Sequence, residues 1–110
     1  MMKTFQENDT MYIMGSNAKE NWKLLDEADE DDIWVHLHEY TSAYIFIRNK
    51  TRGVSIEDIV YGGKLIHQHS KHRNIKNIKM CYLEARYVSK GKITGQAKCM
   101  KQPNIKMIKH

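Results

Sequence analysis

Trp34, His36 and His38 stand at alternate positions, and Tyr44, Phe46 and Arg48 repeat the pattern ten residues later. On extended backbone, alternate side chains point to one side. Two imidazoles placed this way can ligate zinc, which makes His36 and His38, with nearby acids, the candidates for a metal-dependent nuclease. No third ligand stands at an informative spacing. His67, His69 and His72 fall on a predicted helix, where only His69 and His72 share a side. There is no Ser/His/Asp set, no Walker-type phosphate loop and no paired carboxylates in a predicted pocket, so no cofactor or metal is assigned. A face of rings, imidazoles and a guanidinium can also stack bases and hold phosphates. Equally, it can be a second core under a helix, with Arg48 laid on Trp34 and its charge at the rim.

These residues need a hairpin to hold them. If residues 39–43 close it, Leu37 faces Ile45 and Val35 faces Ile47, building one aliphatic face. The same register sets His38 opposite Tyr44, His36 opposite Phe46 and Trp34 opposite Arg48. Upstream, residues 1–10 are polar and aperiodic, a flexible segment ahead of a domain over 11–110. Residues 11–14 form a short strand stopped by Gly15. Asn17 is a helix N-cap with Glu20 completing a capping box, and Ala18, Trp22 and Leu25 make the buried stripe. Ser55 with Asp58 is a second capping box, opening a helix over 56–69 with an apolar stripe of Ile56, Ile59, Val60, Gly63 and Ile66. Gly62 and Gly63 each cost about 1 kcal/mol of helix propensity. Gly63 lies on the packed stripe, which places this helix close against a sheet. Strands follow at 79–84, 87–88, 96–100 and 105–108, with a turn at 89–92. Adjacent antiparallel strands around two helices predict an α+β domain, mostly antiparallel sheet with two helices.

The chain has 110 residues, enough for one domain with a real core. No apolar run approaches the roughly 20 residues that span a bilayer, and the start lacks the apolar core of a signal peptide, so a cytoplasmic protein without membrane contact is expected. Cys81 and Cys99 have no Cys-x-x-Cys partner and are expected to be reduced thiols. The net charge of +5 hides an asymmetry. Residues 1–55 hold six Lys/Arg against ten Asp/Glu, whereas residues 56–110 hold twelve against three. A half this basic gains from lying along a polyanion, because each phosphate it neutralises releases condensed counterions. The acidic run at 26–32 lacks the glycine and spacing of a calcium loop and is expected to be a solvated loop.

Three blocks of this sequence resemble the NFACT-R domain, also called domain of unknown function 814. They are residues 13–21 (IMGSNAKEN); 32–36 (DIWVH) with 42–48 (SAYIFIR); and the basic segment from Tyr82 through Lys90 to Gly95. The likeness spans roughly residues 11–108, and the middle block is the most specific. The matching positions that carry it are Trp34, His36, Ser42, Arg48, Lys90 and Gly95, and Tyr44 stands at a further motif position. Members usually have histidine where this chain has Tyr44, so a role needing an imidazole there is lost while one needing a flat, hydrogen-bonding ring survives. Ending at His110, the chain is expected to be a bare module, without the coiled coil or companion domains of its relatives. The resemblance implies nucleic-acid binding: in ribosome quality-control factors of the Rqc2, NEMF and RqcH type the domain helps engage tRNA on the stalled large subunit. A small coiled-coil relative is linked to DNA sensing instead.

The expectation is therefore a non-catalytic module that binds RNA ahead of DNA, of tRNA or rRNA type and in contact with the ribosome. The phosphate contacts expected are Arg48, Lys50, Arg52, Lys64, Lys71, Arg86, Lys90 and Lys92, gathered into one basic stripe. The alternatives are a protein-interaction adaptor on a nucleoprotein complex and the His36/His38 nuclease.

Overall fold

The computed structural model describes residues 2–38, 40 and 42–108. The chain runs β1 (Lys3–Glu7), β2 (Thr10–Met14), α1 (Ala18–Glu27), β3 (Ile33–Leu37), β4 (Ile45–Arg48), α2 (Ile56–Gln68), β5 (Ile78–Glu84), a 3-10 turn (Ala85–Tyr87), β6 (Val88–Lys90), β7 (Ala97–Cys99) and β8 (Asn104–Ile108). Six strands form one sheet in the order β1-β2-β4-β3-β5-β8, every pairing antiparallel, and β6 and β7 form a separate ribbon. This is the α+β class that the order of elements predicts.

Alternation along the strands divides the molecule into three layers. On one face Tyr12, Met14, Val35, Leu37, Ile45, Ile47, Met80 and Ile108 pack with Ile59, Leu65 and Ile66 of α2. The capping box is complete: the Ser55 hydroxyl accepts from the Asp58 N–H and the Asp58 carboxylate accepts from the Ser55 N–H. Gly62 and Gly63 lie against the sheet, and a Cβ on Gly63 would sit 2.1 Å from Met80 Sδ. The stripe begins one turn later than its pattern implies, since Ile56 is exposed. On the opposite face Trp34, Phe46, Tyr44, Cys81 and Leu83 pack under Leu24 of α1 and Val88 of the ribbon. Of the two readings of the aromatic face, the covered core is the one realised. Both cysteines are free.

The hairpin register differs from the expected one by two residues: Val35 pairs with Ile45, Ile33 with Ile47 and Trp34 with Phe46. A two-residue shift preserves which face each side chain takes. The cause is that the Tyr44 backbone is engaged elsewhere, its carbonyl accepting from the Gly15 N–H (3.1 Å) and its N–H donating to the Asn21 Oδ1 (3.2 Å). The connection therefore runs from 38 to 44; its positions 39 and 41 lie outside the described residues, as do 109 and 110.

Residues 3–7 are a strand, not a loose end, and the expected boundary at residue 11 falls inside β2. Asn8, in the left-handed region (φ 54°), makes the tight turn that pairs Glu7 with Thr10. An edge strand with only Phe5 turned inward shows no alternation to read. In α1 the buried residues are Asn21 and Leu24, while Ala18 is exposed and Trp22 and Leu25 half-buried. Glu20 caps Ser16 N–H rather than Asn17. The 87–88 strand is instead the end of a 3-10 turn leading into β6, so the reversal falls after Lys90, where the Gly91 N–H donates to the Gln96 carbonyl.

Candidate nucleic-acid interface

The N-terminus of α1, Tyr40 with residues 42–44, and the 93–96 turn meet around a groove of about 700 Å³. Its lining includes Asn17, Asn21, His36, Tyr40, Ser42, Tyr44 and Gly95. A second lobe of about 380 Å³ is lined by Lys3, Gly15, His69, Ser70 and Lys71, and the two lobes share Ser16, Ser42 and Ala43. Among the described residues no carboxylate lines either lobe.

Local physics places each lining group. Gly15 is required because a Cβ there would stand 2.4 Å from the Asn21 Oδ1. That close approach lets Asn21 turn inward from α1 and accept the Tyr44 N–H. Tyr44 then sets its ring edge-on to both Trp34 (5.5 Å) and His36 (5.0 Å) and donates its hydroxyl to the Gly95 carbonyl (2.5 Å). Gly95 has φ +89°, and a Cβ on it would lie 2.6 Å from that of Ala18. Trp34 and His36 stack at 5.9 Å. Burial pushes the His36 imidazole down to about 4 against the opposing pull of the Ser42 backbone, so the ring is neutral at pH 7. Burial likewise pushes the Tyr44 phenol up to about 12. The Ser42 hydroxyl accepts from the Leu37 N–H and donates to the Ala43 carbonyl, holding the end of β3.

The expected stripe of free cations takes another form. Arg48 makes a bidentate pair with the buried Asp32 (Nε to Oδ1 3.0 Å, Nη2 to Oδ2 2.8 Å) instead of lying on Trp34. Lys50 meets Asp29 and Asp31, Arg52 meets Asp58, Arg86 meets Glu84 and Glu30, and Lys90 meets Asp26 while lying 5.3 Å over the Trp22 ring. The acidic run is thus a counter-charge for β4 and β6, not merely a solvated loop. Lys64, Lys71 and Lys92 are exposed with no carboxylate partner among the described residues. Lys64 is on the α2 layer and Lys92 follows β6 in the opposite layer, so the eight residues do not share one face.

The histidines do not gather. His38 lies beyond the end of β3, and α2 ends before His69. The His69 ring packs on Phe5 and that of His72 on Tyr40. The group of acids close enough to hold a metal ion, among the described residues, is Asp29, Asp31 and Asp32, with no imidazole in it.

The family model described as NFACT protein RNA binding domain matches residues 1–105. The chain belongs to that family. Among solved structures, the C-terminal of the fibronectin/fibrinogen-binding protein from Streptococcus suis superimposes with a TM-score of 0.85 at 18% identity. The match covers 98% of this chain and 45% of that one, so this chain spans less than half the length of that structure. At that identity the likeness shows the fold. No curated protein matches.

In this NFACT-R domain, His36, Ser42, Tyr44 and Gly95 all line the larger lobe, whereas Trp34 is buried behind them and Arg48 serves Asp32. Sequence reasoning did not single out Asn21, Tyr40, Lys3 or His69 as site residues. Asn21 alone carried a readable signal, an asparagine four residues after an asparagine cap, on the helix face that turns inward.

Proposed function

We propose that this domain is a non-catalytic RNA-binding module of the cytoplasm that contacts phosphates, with tRNA or rRNA as its RNA and the ribosome as its place of action. The observation that carries this reading is membership of a family described by RNA binding over residues 1–105, on a chain of net charge +5. Three of the expected contacts, Lys64, Lys71 and Lys92, are free to meet phosphate. Arg48, Lys50, Arg52, Arg86 and Lys90 would first have to leave carboxylates. Contacts to backbone rather than base edges give shape preference and a salt-dependent affinity. The test is fluorescence anisotropy of a labelled RNA hairpin between about 50 and about 300 mM salt. Affinity that does not move across that range would refute phosphate contact.

A second reading, an adaptor on a nucleoprotein complex, is favoured by exposed apolar side chains at Ile93, Met100, Ile105 and Met107. Association with ribosomal particles that survives ribonuclease treatment would support it over direct RNA binding.

A further inference from the structure

We propose that the two-lobed groove holds one unpaired nucleotide, its phosphate in the Lys3–His69–Lys71 lobe and its base in the Asn21–His36–Tyr44 lobe. The inference rests on the RNA-binding reading and adds to it a position and a ligand class. The lobes differ in chemistry and touch. The smaller one carries two ammonium groups with no carboxylate partner among the described residues, together with the His69 imidazole; the Ser70 hydroxyl on its wall is committed to the His67 carbonyl and the His72 N–H. That is an environment for an anion. Among the described residues the larger one has no Lys, Arg or carboxylate in its lining; rings, amides and hydroxyls, with the aliphatic Ala18, Ala43 and Ile93, surround a space within the range of small-molecule sites. That is an environment for a neutral, flat group with hydrogen-bonding edges. Joined through Ser16, Ser42 and Ala43, the lobes match a phosphate attached to a base through a sugar.

Asn21 supplies the directional element. It is 7% exposed, lines the larger lobe, and its Oδ1 is committed to the Tyr44 N–H. With the oxygen fixed, its amide N–H group has no hydrogen-bond partner among the described residues. A polar side chain more than nine-tenths buried, with a free donor at a groove, calls for an acceptor on whatever enters. A base carbonyl or ring nitrogen provides one. The lobe lies between a helix end and two loops, so a base must leave its stack to enter. Paired bases inside a duplex cannot.

The experiment has two arms. In the first, the ¹⁵N-labelled domain is titrated with adenosine 5′-monophosphate, uridine 5′-monophosphate, adenosine and inorganic phosphate, followed by amide shifts. Monophosphates should move residues of both lobes, adenosine those of the larger lobe, and phosphate those of the smaller. In the second, anisotropy compares a labelled RNA hairpin carrying a one-nucleotide bulge with its fully paired counterpart. The bulged RNA should bind about tenfold tighter, the order expected of one accommodated base. Thr94→Trp, an exposed change at the rim of the larger lobe, should weaken the bulged RNA to the wild-type affinity for the paired one. An unchanged melting temperature checks the fold. Equal affinity for both hairpins, or monophosphate shifts confined to surfaces outside the groove, overturns the nucleotide site while RNA binding stands. Failure of both hairpins to bind would overturn the RNA reading itself.

Discussion

Arg48→Ala should unfold this domain more readily without weakening its grip on RNA. Asp32 has a side-chain exposure of 2%, and its two oxygens accept from Arg48 at 3.0 and 2.8 Å and from the Asp29 N–H at 2.9 Å. Alanine removes both guanidinium bonds and leaves a buried carboxylate with a single backbone donor. Breaking one side of a buried pair costs about 3–5 kcal/mol. Arg48 is itself 30% exposed and Lys50 stands beside Asp29, so the lower end, about 3 kcal/mol, is expected here. In a domain of this size each kcal/mol moves the melting temperature by about 4 °C, giving a fall of about 12 °C. Circular-dichroism melts and urea titration at unchanged slope measure it. A cycle with Asp32→Asn should show the two changes coupled by about 2 kcal/mol. RNA affinity, measured well below the melting point, should stay within about twofold, a change under 0.5 kcal/mol. A melting temperature that barely moves beside a large loss of affinity would refute this reasoning and restore Arg48 as a phosphate ligand.

Gly63→Ala should destabilise by about 1–3 kcal/mol despite its better helix propensity, because the new methyl would meet Met80 Sδ and, at 3.2 Å, Ile108 Cδ1; thermal melts check it. His36 should make stability acid-sensitive. Its folded value of about 4 lies below the ordinary 6.5, so the unfolded chain takes the proton first. The contribution is complete above about 6.5, declines below it and is gone near pH 4, about 3 kcal/mol in all, and His36→Phe should flatten that part of a urea-midpoint profile. Lys71→Ala and Lys92→Ala should each reduce the slope of log affinity against log salt by about 1, whereas Lys50→Ala should leave it nearly unchanged.

The parts of this fold legible in the sequence were those written in apolar periodicity and capping chemistry. Ser55 and Asp58 marked the start of α2, alternation marked β3, β4 and β5, and Gly63 announced a close approach. What stayed hidden was written in polar contacts between distant residues. The hairpin register turned on Asn21 and Gly15 taking the Tyr44 backbone, a contact across more than twenty residues that local pattern cannot show. The same asparagine displaced the expected stripe of α1, since a buried polar residue breaks hydrophobic periodicity. Edge strand β1 was missed because only Phe5 faces the core. The motif residues His36, Ser42, Tyr44 and Gly95 did converge, but the eight basic residues were chosen by charge, and charge alone does not say which cations already have carboxylates.

That last point decides where a polyanion can lie. Arg48, Lys50, Arg52, Arg86 and Lys90 are held by seven carboxylates: Asp26, Asp29, Glu30, Asp31, Asp32, Asp58 and Glu84. Five positive charges against seven negative make these contacts slightly acidic, so the chain's excess of positive charge resides on its other residues. A phosphate chain approaching β4's end would have to displace pairs as close as 2.8 Å, exchanging one carboxylate for one phosphate with little net gain. At the groove, Lys3 and Lys71 hold no such partner, and a phosphate there adds an interaction instead of replacing one. The acidic run therefore has a second consequence beyond fixing Arg48: by pairing the cations at one end of the central strands β3 and β4, it leaves the groove side as the surface where a polyanion would gain more.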